Sequence, residues 1–342
     1  MMQRMMIAST MALLVCGVTT AATINVPADY TTIQAAVDAA SNGDEILVAP
    51  GTYTGTGDEV VNMLGKAITL RATGTPEETI IDGEGARRVV RCSSGEGADT
   101  IIDGFTITGG SSSSGGGIVC LSSSPSITDC TIESNTASGN GGGIDCWSSS
   151  SPTITGCTIS GNTASSGGGI SCYSSSPTIT GCTISNNTAA YTGGGIYCNS
   201  SSPLLTDCTI SDNTADYTGG GIYCNSSSRP LLTDCTISGN TASYDGGGIY
   251  CTLAGSPTLT DTVVCGNDPD QNNGSWIDNG GNTVIDECPC SDTNSDAIVD
   301  RNDVLAVVAA WGSDDPDADV DSDGLVGVLD LITVLASWGP CP

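Results

Sequence analysis

The clearest chemistry in the chain lies in two twelve-residue stretches near its C-terminal end. Asp292, Asn294, Asp296, Asp300 and Asp303 occupy positions 1, 3, 5, 9 and 12 of the first. Asp319, Asp321, Asp323 and Asp330 take positions 1, 3, 5 and 12 of the second, 27 residues on. Oxygen donors at that spacing let one loop wrap a calcium ion, with the backbone carbonyl of position 7 (Ile298, Leu325) completing the set. Ala297 stands at position 6 of the first loop, where the sharp turn wants glycine, so the first site is expected to be the weaker. Each stretch runs into apolar residues at helical spacing: Val304, Leu305, Val307, Val308 and Trp311, then Leu331, Ile332, Val334, Leu335 and Trp338. The equal offsets predict two helices packed on each other. A merely solvated acidic tail would have no reason to keep this register twice.

Other reactive residues recur in columns. Asp207, Asp234 and Asp261 share one column, with Asp212, Asp216 and Asp245 near it. Paired carboxylates can hydrolyse glycosidic bonds, yet repetition singles out no pair, and an outward, solvated column is the favoured reading. Catalytic residues are therefore left unassigned. The absence of histidine removes the commonest general base. Aromatic residues form three further columns: Tyr197, Tyr223 and Tyr250; Tyr191, Tyr217 and Tyr244; and Trp147 with Tyr173. Aromatic platforms beside glycine suit sugar rings; cross-strand packing of β-formers is the plainer alternative.

These columns need a periodic scaffold, and the sequence supplies one. The motif Gly-Gly-Gly-Ile places Ile118, Ile144, Ile170, Ile196, Ile222 and Ile249 at spacings of 26, 26, 26, 26 and 27. A Cys-Thr-Ile block starts at Cys130, Cys157, Cys182, Cys208 and Cys235, and an Asn column runs through Asn135, Asn162, Asn187, Asn213, Asn240 and Asn267. Alternation such as Ile222, Tyr223, Cys224 has period two and reads as strand. Three short strands per turn, cornered at Ser runs and at Pro203 and Pro230, predict an all-β, right-handed parallel β-helix solenoid. Stacked turns would place Ile, Cys and Asn each in a ladder, the Asn amides bonding along the stack at a bend with positive φ. Ala67–Leu70, Thr79–Ile81 and Thr100–Ile107 read as earlier, irregular coils. Ile33, Ala36 and Val37 predict a short helix over the open N-terminal end.

The chain has 17 cysteines, a usage that argues against a reducing cytosol. Neighbours in a column would be separated by the coil rise of about 4.8 Å, with parallel side chains, which is poor disulfide geometry. Most ladder cysteines are therefore expected to be buried thiols. Pairing within one coil stays open, and Cys265, displaced from the column position held by Thr262, hints at it. Cys290 and Cys341 could staple the two ends of the C-terminal region.

Residues 1–22 have the charged start, apolar run and small-residue end of a secretory signal, so a secreted or cell-surface protein is expected. No stretch is long enough to span a membrane as a helix. A formal net charge of -30 repels nucleic acid and anionic membrane and collects cations. The expected organisation is a signal at 1–22, the β-helix with its helical cap at 23–288, and a small all-α calcium-loop domain at 289–342.

Asn25-Val-Pro-Ala-Asp-Tyr-Thr-Thr-Ile-Gln-Ala-Ala-Val, followed by Ala49-Pro-Gly-Thr-Tyr, resembles the N-terminal cap of pectinesterase- and pectate-lyase-like β-helix proteins. The Gly-Gly-Gly-Ile and Ile184-x-x-Asn187 pairing is similar to repeats of polymorphic outer-membrane proteins. The duplicated loops resemble a dockerin, which implies calcium as ligand and a cohesin-like domain as partner. Arg301-Asn302 and Val328-Leu329 depart from the small hydroxyl pair of cohesin-reading dockerins. The resemblance to pectate lyases implies calcium and an arginine base, but residues 93–228 contain no Lys or Arg. The glutamine and paired-aspartate motifs of pectinesterases are missing too. Two readings follow. One is a secreted β-helix that binds a polysaccharide or cell-surface glycan and attaches through a dockerin-like module. The other is a polysaccharide-degrading enzyme, lyase or glycoside hydrolase, recruited through that module.

Overall fold

The structure, a computed structural model, describes residues 21–252 and 254–288, together with 298–299, 304, 307–313, 318, 320, 325–329, 331, 333 and 339–340. The first two spans form a parallel β-solenoid of about ten turns. Its faces are sheets of eleven, ten and nine strands, each strand pairing in parallel with those one coil before and after it. A fourth, six-stranded sheet runs from Ser111–Ser112 to Thr241–Ala242. The repeat coils thus carry four short strands rather than the three expected. The extra one arises because the Thr-Ala pair after each ladder Asn stays extended and buries its alanine, as at Ala164, Ala189 and Ala215.

Stacking in strict register turns sequence columns into ladders. Ile144, Ile170, Ile196, Ile222 and Ile249 pair one above another and are buried, as are Cys146, Cys172, Cys198, Cys224 and Cys251. Each ladder Asn reaches both ways along the stack. Asn187 Nδ2 donates to Ile159 O and to Asn213 Oδ1, both at 2.9 Å, while its Oδ1 accepts from the Asn162 backbone N–H at 3.0 Å. Gln271 replaces Asn at the end of the column, its Oε1 accepting from Asn267 Nδ2 at 2.8 Å. A serine ladder runs along another corner of the coils, Ser150 N to Ser175 Oγ and Ser175 N to Ser201 Oγ, and starts at Glu96, which accepts from Ser123 Oγ at 2.7 Å. Burying so many amides and hydroxyls is tolerable because every rung satisfies the next.

Positive φ does not fall on the ladder Asn residues, as the sequence suggested, but on the residue before each: Ser134, Gly161, Asn186, Asp212, Gly239 and Gly266. A second set precedes the Cys column and includes Asp207, Asp234 and Asp261 at φ 53°, 53° and 47°. Asp is among the side chains that tolerate this left-handed region. These aspartates therefore make corners, and they point outward and are exposed. The glycine triplets solve a tighter problem. Gly193 has φ +68°, and a Cβ on Gly194 would run into the Gly220 carbonyl oxygen of the next coil.

The helix Ile33–Ala39 seals the N-terminal end, burying Ile33, Ala36 and Val37, and Thr32 Oγ1 caps it by accepting from Ala35 N. Lys66, the only lysine in the chain, donates to the carbonyls of Val37, Asp38 and Ala40 at its other end. Among the described residues twelve cysteines are buried free thiols, and one disulfide joins Cys265 to Cys288. That bond links successive coils rather than two positions of one coil. It forms where the final coils lose the regular column and two cysteines approach from differently placed segments.

In the C-terminal region Val307, Ala318 and Val326 are buried together, with Val304, Ala310, Val320 and Leu331 packed against them. Val308 and Trp311 are half exposed, although both fit the apolar stripe. Val308 is rotated about 100° from Val307 on the helix, and Trp311 lies in the turn beyond it. Ile298–Val299 pairs antiparallel with Gly339–Pro340. Asp292, Asn294, Asp296, Asp300, Asp303, Asp319, Asp321, Asp323 and Asp330, with Cys290 and Cys341, lie outside the described residues. Residues 1–20 of the expected signal do too. No helix among the described residues is long and apolar enough to cross a membrane.

Candidate functional site

Five strands of the nine-stranded sheet carry the site: β1 (Arg88–Cys92), β2 (Ile118–Leu121), β3 (Ile144–Trp147), β4 (Ile170–Tyr173) and β5 (Ile196–Asn199). Inward residues are Ile or Val and Cys. The outward column between them reads Arg91, Val119, Asp145, Ser171, Tyr197 and continues to Tyr223 and Tyr250. The next outward column reads Leu121, Trp147, Tyr173, Asn199 and Asn225.

The glycine corners fold the fourth sheet alongside this face, and the valley between them deepens at β3. There a groove of about 350 Å³ is lined by Ser114, Asn140, Asp145, Trp147 and Tyr173. Trp147 and Tyr173 are exposed at 48% and 42%, whereas Asp145 on the floor is only 6% exposed. Burial pushes the Asp145 carboxyl up to about 6, with the Ser171 and Ser114 hydroxyls and the Arg88 charge pulling the other way. Ser171, opposite Asp145 on the next strand, is itself fully buried. A shallower extension of about 210 Å³ continues past Trp147 to Arg88, Arg91 and Ser93. A nearly buried carboxylate and two accessible aromatics converging on one concavity are the ordinary ingredients of a small polar-ligand site.

The two tyrosine ladders are built differently. Tyr197, Tyr223 and Tyr250 stack at centroid distances of 5.5 and 5.4 Å with planes within 6° and 5°. Tyr191, Tyr217 and Tyr244 follow one another at 5.6 and 5.5 Å with their planes turned by 31° and 22°. At those separations each ring packs on its neighbour, so the ladders offer edges and hydroxyl tips more than free faces. Tyr197, Tyr223 and Tyr250 are half-buried, and burial raises the Tyr223 hydroxyl above its usual range. The structure therefore separates the eight aromatic candidates: Trp147 and Tyr173 line the groove, and the other six are cross-strand ladders. Sequence reasoning missed Asp145, Ser114 and Asn140. One signal was available: Asp145 is the only acid in a column otherwise filled by Arg, Val, Ser and Tyr.

A larger cavity, about 590 Å³, opens beside the N-terminal helix between Thr32, Gln34 and the segment 54–62. There Gln34 Oε1 accepts from Asn62 N, Asn62 Nδ2 donates to Glu59 Oε1, and Glu59 Oε2 is buried and faces Arg91 at 3.7 Å. No group of three or more metal-ligating side chains occurs among the described residues. The calcium-loop ligands are not among those residues, except Leu325, whose side chain is exposed, and Ile298, in its two-residue strand.

The repeat geometry defines a class, and the sequence agrees with it. The chain matches the family described as right handed beta helix region over residues 89–220 and 193–304, more than half its length, and belongs to that family. Among solved structures it is similar to a pectate lyase, Pel9A, with TM-score 0.50 and 14% identity, covering 78% of this chain and 80% of that one. It is also similar to a pectin methylesterase from carrot (TM-score 0.44, 14% identity, covering 80% and 90%). A third is a pectin methylesterase from Aspergillus niger (0.47, 14%, covering 79% and 90%). At 14% identity the likeness to the pectate lyase speaks to fold alone. No curated protein matches the sequence.

Proposed function

We propose that this protein is an exported glycan-binding β-helix that contacts a polysaccharide or cell-surface glycan through the groove over Asp145. The single observation that carries this reading is the pairing of exposed Trp147 and Tyr173 with a nearly buried carboxylate in one concavity. Sugars present an apolar ring face and a rim of hydroxyls, and an aromatic wall beside buried polar groups complements both. The likeness in fold to a pectate lyase is consistent with a long groove-bearing surface for a polymer. The signal-like start supports export, and the duplicated loops at 292–303 and 319–330 support a calcium-dependent, dockerin-like attachment module with a cohesin-like partner.

A second reading, a polysaccharide-degrading enzyme, is favoured by one observation. A carboxyl held near 6 in a cleft is poised for proton transfer near neutral pH. Against it, Asp145 is the only carboxylate among the described residues that line the groove, while glycoside hydrolysis by the usual route needs two. Incubation of the purified protein with a panel of pectins and other glycans separates the readings. Binding without new reducing or unsaturated ends supports the first; new ends lost on Asp145→Asn would establish the second; no binding to any glycan would overturn both.

A further inference from the structure

We propose that the groove over Asp145 selects a glycan bearing a primary ammonium group, an amino sugar rather than a neutral or acidic one. This inference rests on reading the groove as a glycan site and names the sugar class that its chemistry fits. Asp145, on the floor, is a hydrogen-bond acceptor when ionised, and Asn140 offers an amide oxygen from the wall. An ammonium carries three N–H donors and a positive charge, and these groups supply acceptors and the opposite charge. Trp147 and Tyr173 border the same space, where aromatic rings attract a cation further.

The charged neighbours do not already satisfy Asp145. Arg88, two strands earlier on the same sheet, directs Nε to Gly115 O at 3.0 Å and Nη2 to Ser112 Oγ and Ser114 O at 2.8 and 2.7 Å. Arg91 faces Glu59 at 3.7 Å. A carboxylate raised to about 6 is mostly ionised at pH 7 and lacks a full counter-charge. An ammonium supplies it. An N-acetylated sugar would cover the carboxylate without a counter-charge, which costs desolvation. A uronate would bring a like charge against it. The net charge of -30 favours approach of a cationic sugar.

The sign of the pH dependence follows. Ammonium binding favours ionised Asp145, so affinity is present above about pH 6 and falls as pH drops through that value.

The test is calorimetry of the full chain in physiological salt at pH 7 and pH 5 with three tetrasaccharides, of glucosamine, N-acetylglucosamine and galacturonic acid. The glucosamine oligomer should bind about tenfold more tightly than its N-acetylated form at pH 7, and this preference should shrink at pH 5. Asp145→Asn, which is nearly isosteric and whose melting temperature is checked alongside, should bring the two within about twofold. The wild-type comparison carries the test even if that variant folds poorly. Equal or tighter binding of the acetylated or galacturonate oligomer overturns the amine assignment and leaves a glycan site standing. A preference that survives Asp145→Asn shows non-specific attraction to an acidic protein and also overturns it. Silence from all three overturns the amine assignment and leaves the glycan reading to be decided by the wider panel.

Discussion

Replacing Asn187 by Ala tests whether the buried amide ladder holds the solenoid together. Asn187 is fully buried. Without its side chain, Ile159 O loses the donor at 2.9 Å and the Asn162 N–H loses the acceptor at 3.0 Å. The adjoining amides fare better: Asn162 Nδ2 still donates to Ile132 O, and Asn213 Oδ1 still accepts from the Asn187 N–H. The Asn162 N–H is thus orphaned in the interior, at about 1–3 kcal/mol, while Ile159 O keeps its place in the parallel ladder against Thr183–Ser185, so the expected loss is about 2 kcal/mol. Urea denaturation of the full chain followed by circular dichroism reads it, with hydrogen exchange at Asn162 and Asn213 as a local probe, since stacked repeats need not unfold as one unit. The exposed Thr183→Ala in the same coil should change stability by less than about 0.5 kcal/mol. A loss below about 1 kcal/mol for Asn187→Ala, with unchanged exchange at Asn162, would refute the view that the ladder bears the coil's stability.

Four other outcomes are expected. Asp145→Asn should stabilise the protein at pH 7.5 by up to about 3 kcal/mol, because a carboxyl raised from 3.8 to about 6 penalises the fold above its folded value; the gain should vanish near pH 4, and a variant less stable at pH 7.5 would contradict it. Rapid alkylation should find the twelve described thiols inert in the native protein and reactive in denaturant, with Cys265 and Cys288 unreactive until reduced; fast native labelling would show that the Cys columns are not sealed. Gly194→Ala should prevent folding, since its Cβ would meet a backbone oxygen, whereas Gly181→Asp should melt near wild type, since the space there is open and Asp207 and Asp234 hold the equivalent corner. Residues 289–342 should gain helix on calcium addition, with Asp319→Ala more damaging than Asp292→Ala; an unchanged spectrum and no calorimetric heat would dispose of the calcium loops.

The solenoid was legible because its energetics are one-dimensional. A residue that repeats at 26 or 27 positions must stack on its own copies, so Ile144, Cys146 and Asn187 announced both their burial and their neighbours. The Asn ladder's φ values were misplaced by one residue because composition shows which side chain bonds along the stack but not which backbone turns. The fourth sheet was hidden in Thr-Ala pairs too short to show period two. The groove escaped for the opposite reason. Function there depends on the residue that breaks the column, Asp145, and on Ser114 and Asn140, which precede glycine corners and approach Asp145 only when the corner folds. The aromatic columns looked alike in sequence, and only ring-to-ring distances divide ladders from groove.

The central claim, that the groove over Asp145 and not the tyrosine ladders meets glycan, is tested most directly by substitution against whichever glycan binds best in the panel. Trp147→Ala and Tyr173→Ala remove the exposed rings at the groove and should each weaken binding about tenfold or more with little change in melting temperature. Tyr191→Ala and Tyr217→Ala, on the exposed ladder, should leave affinity within about twofold. Loss of binding in the ladder variants, with both groove variants binding normally, would contradict the account.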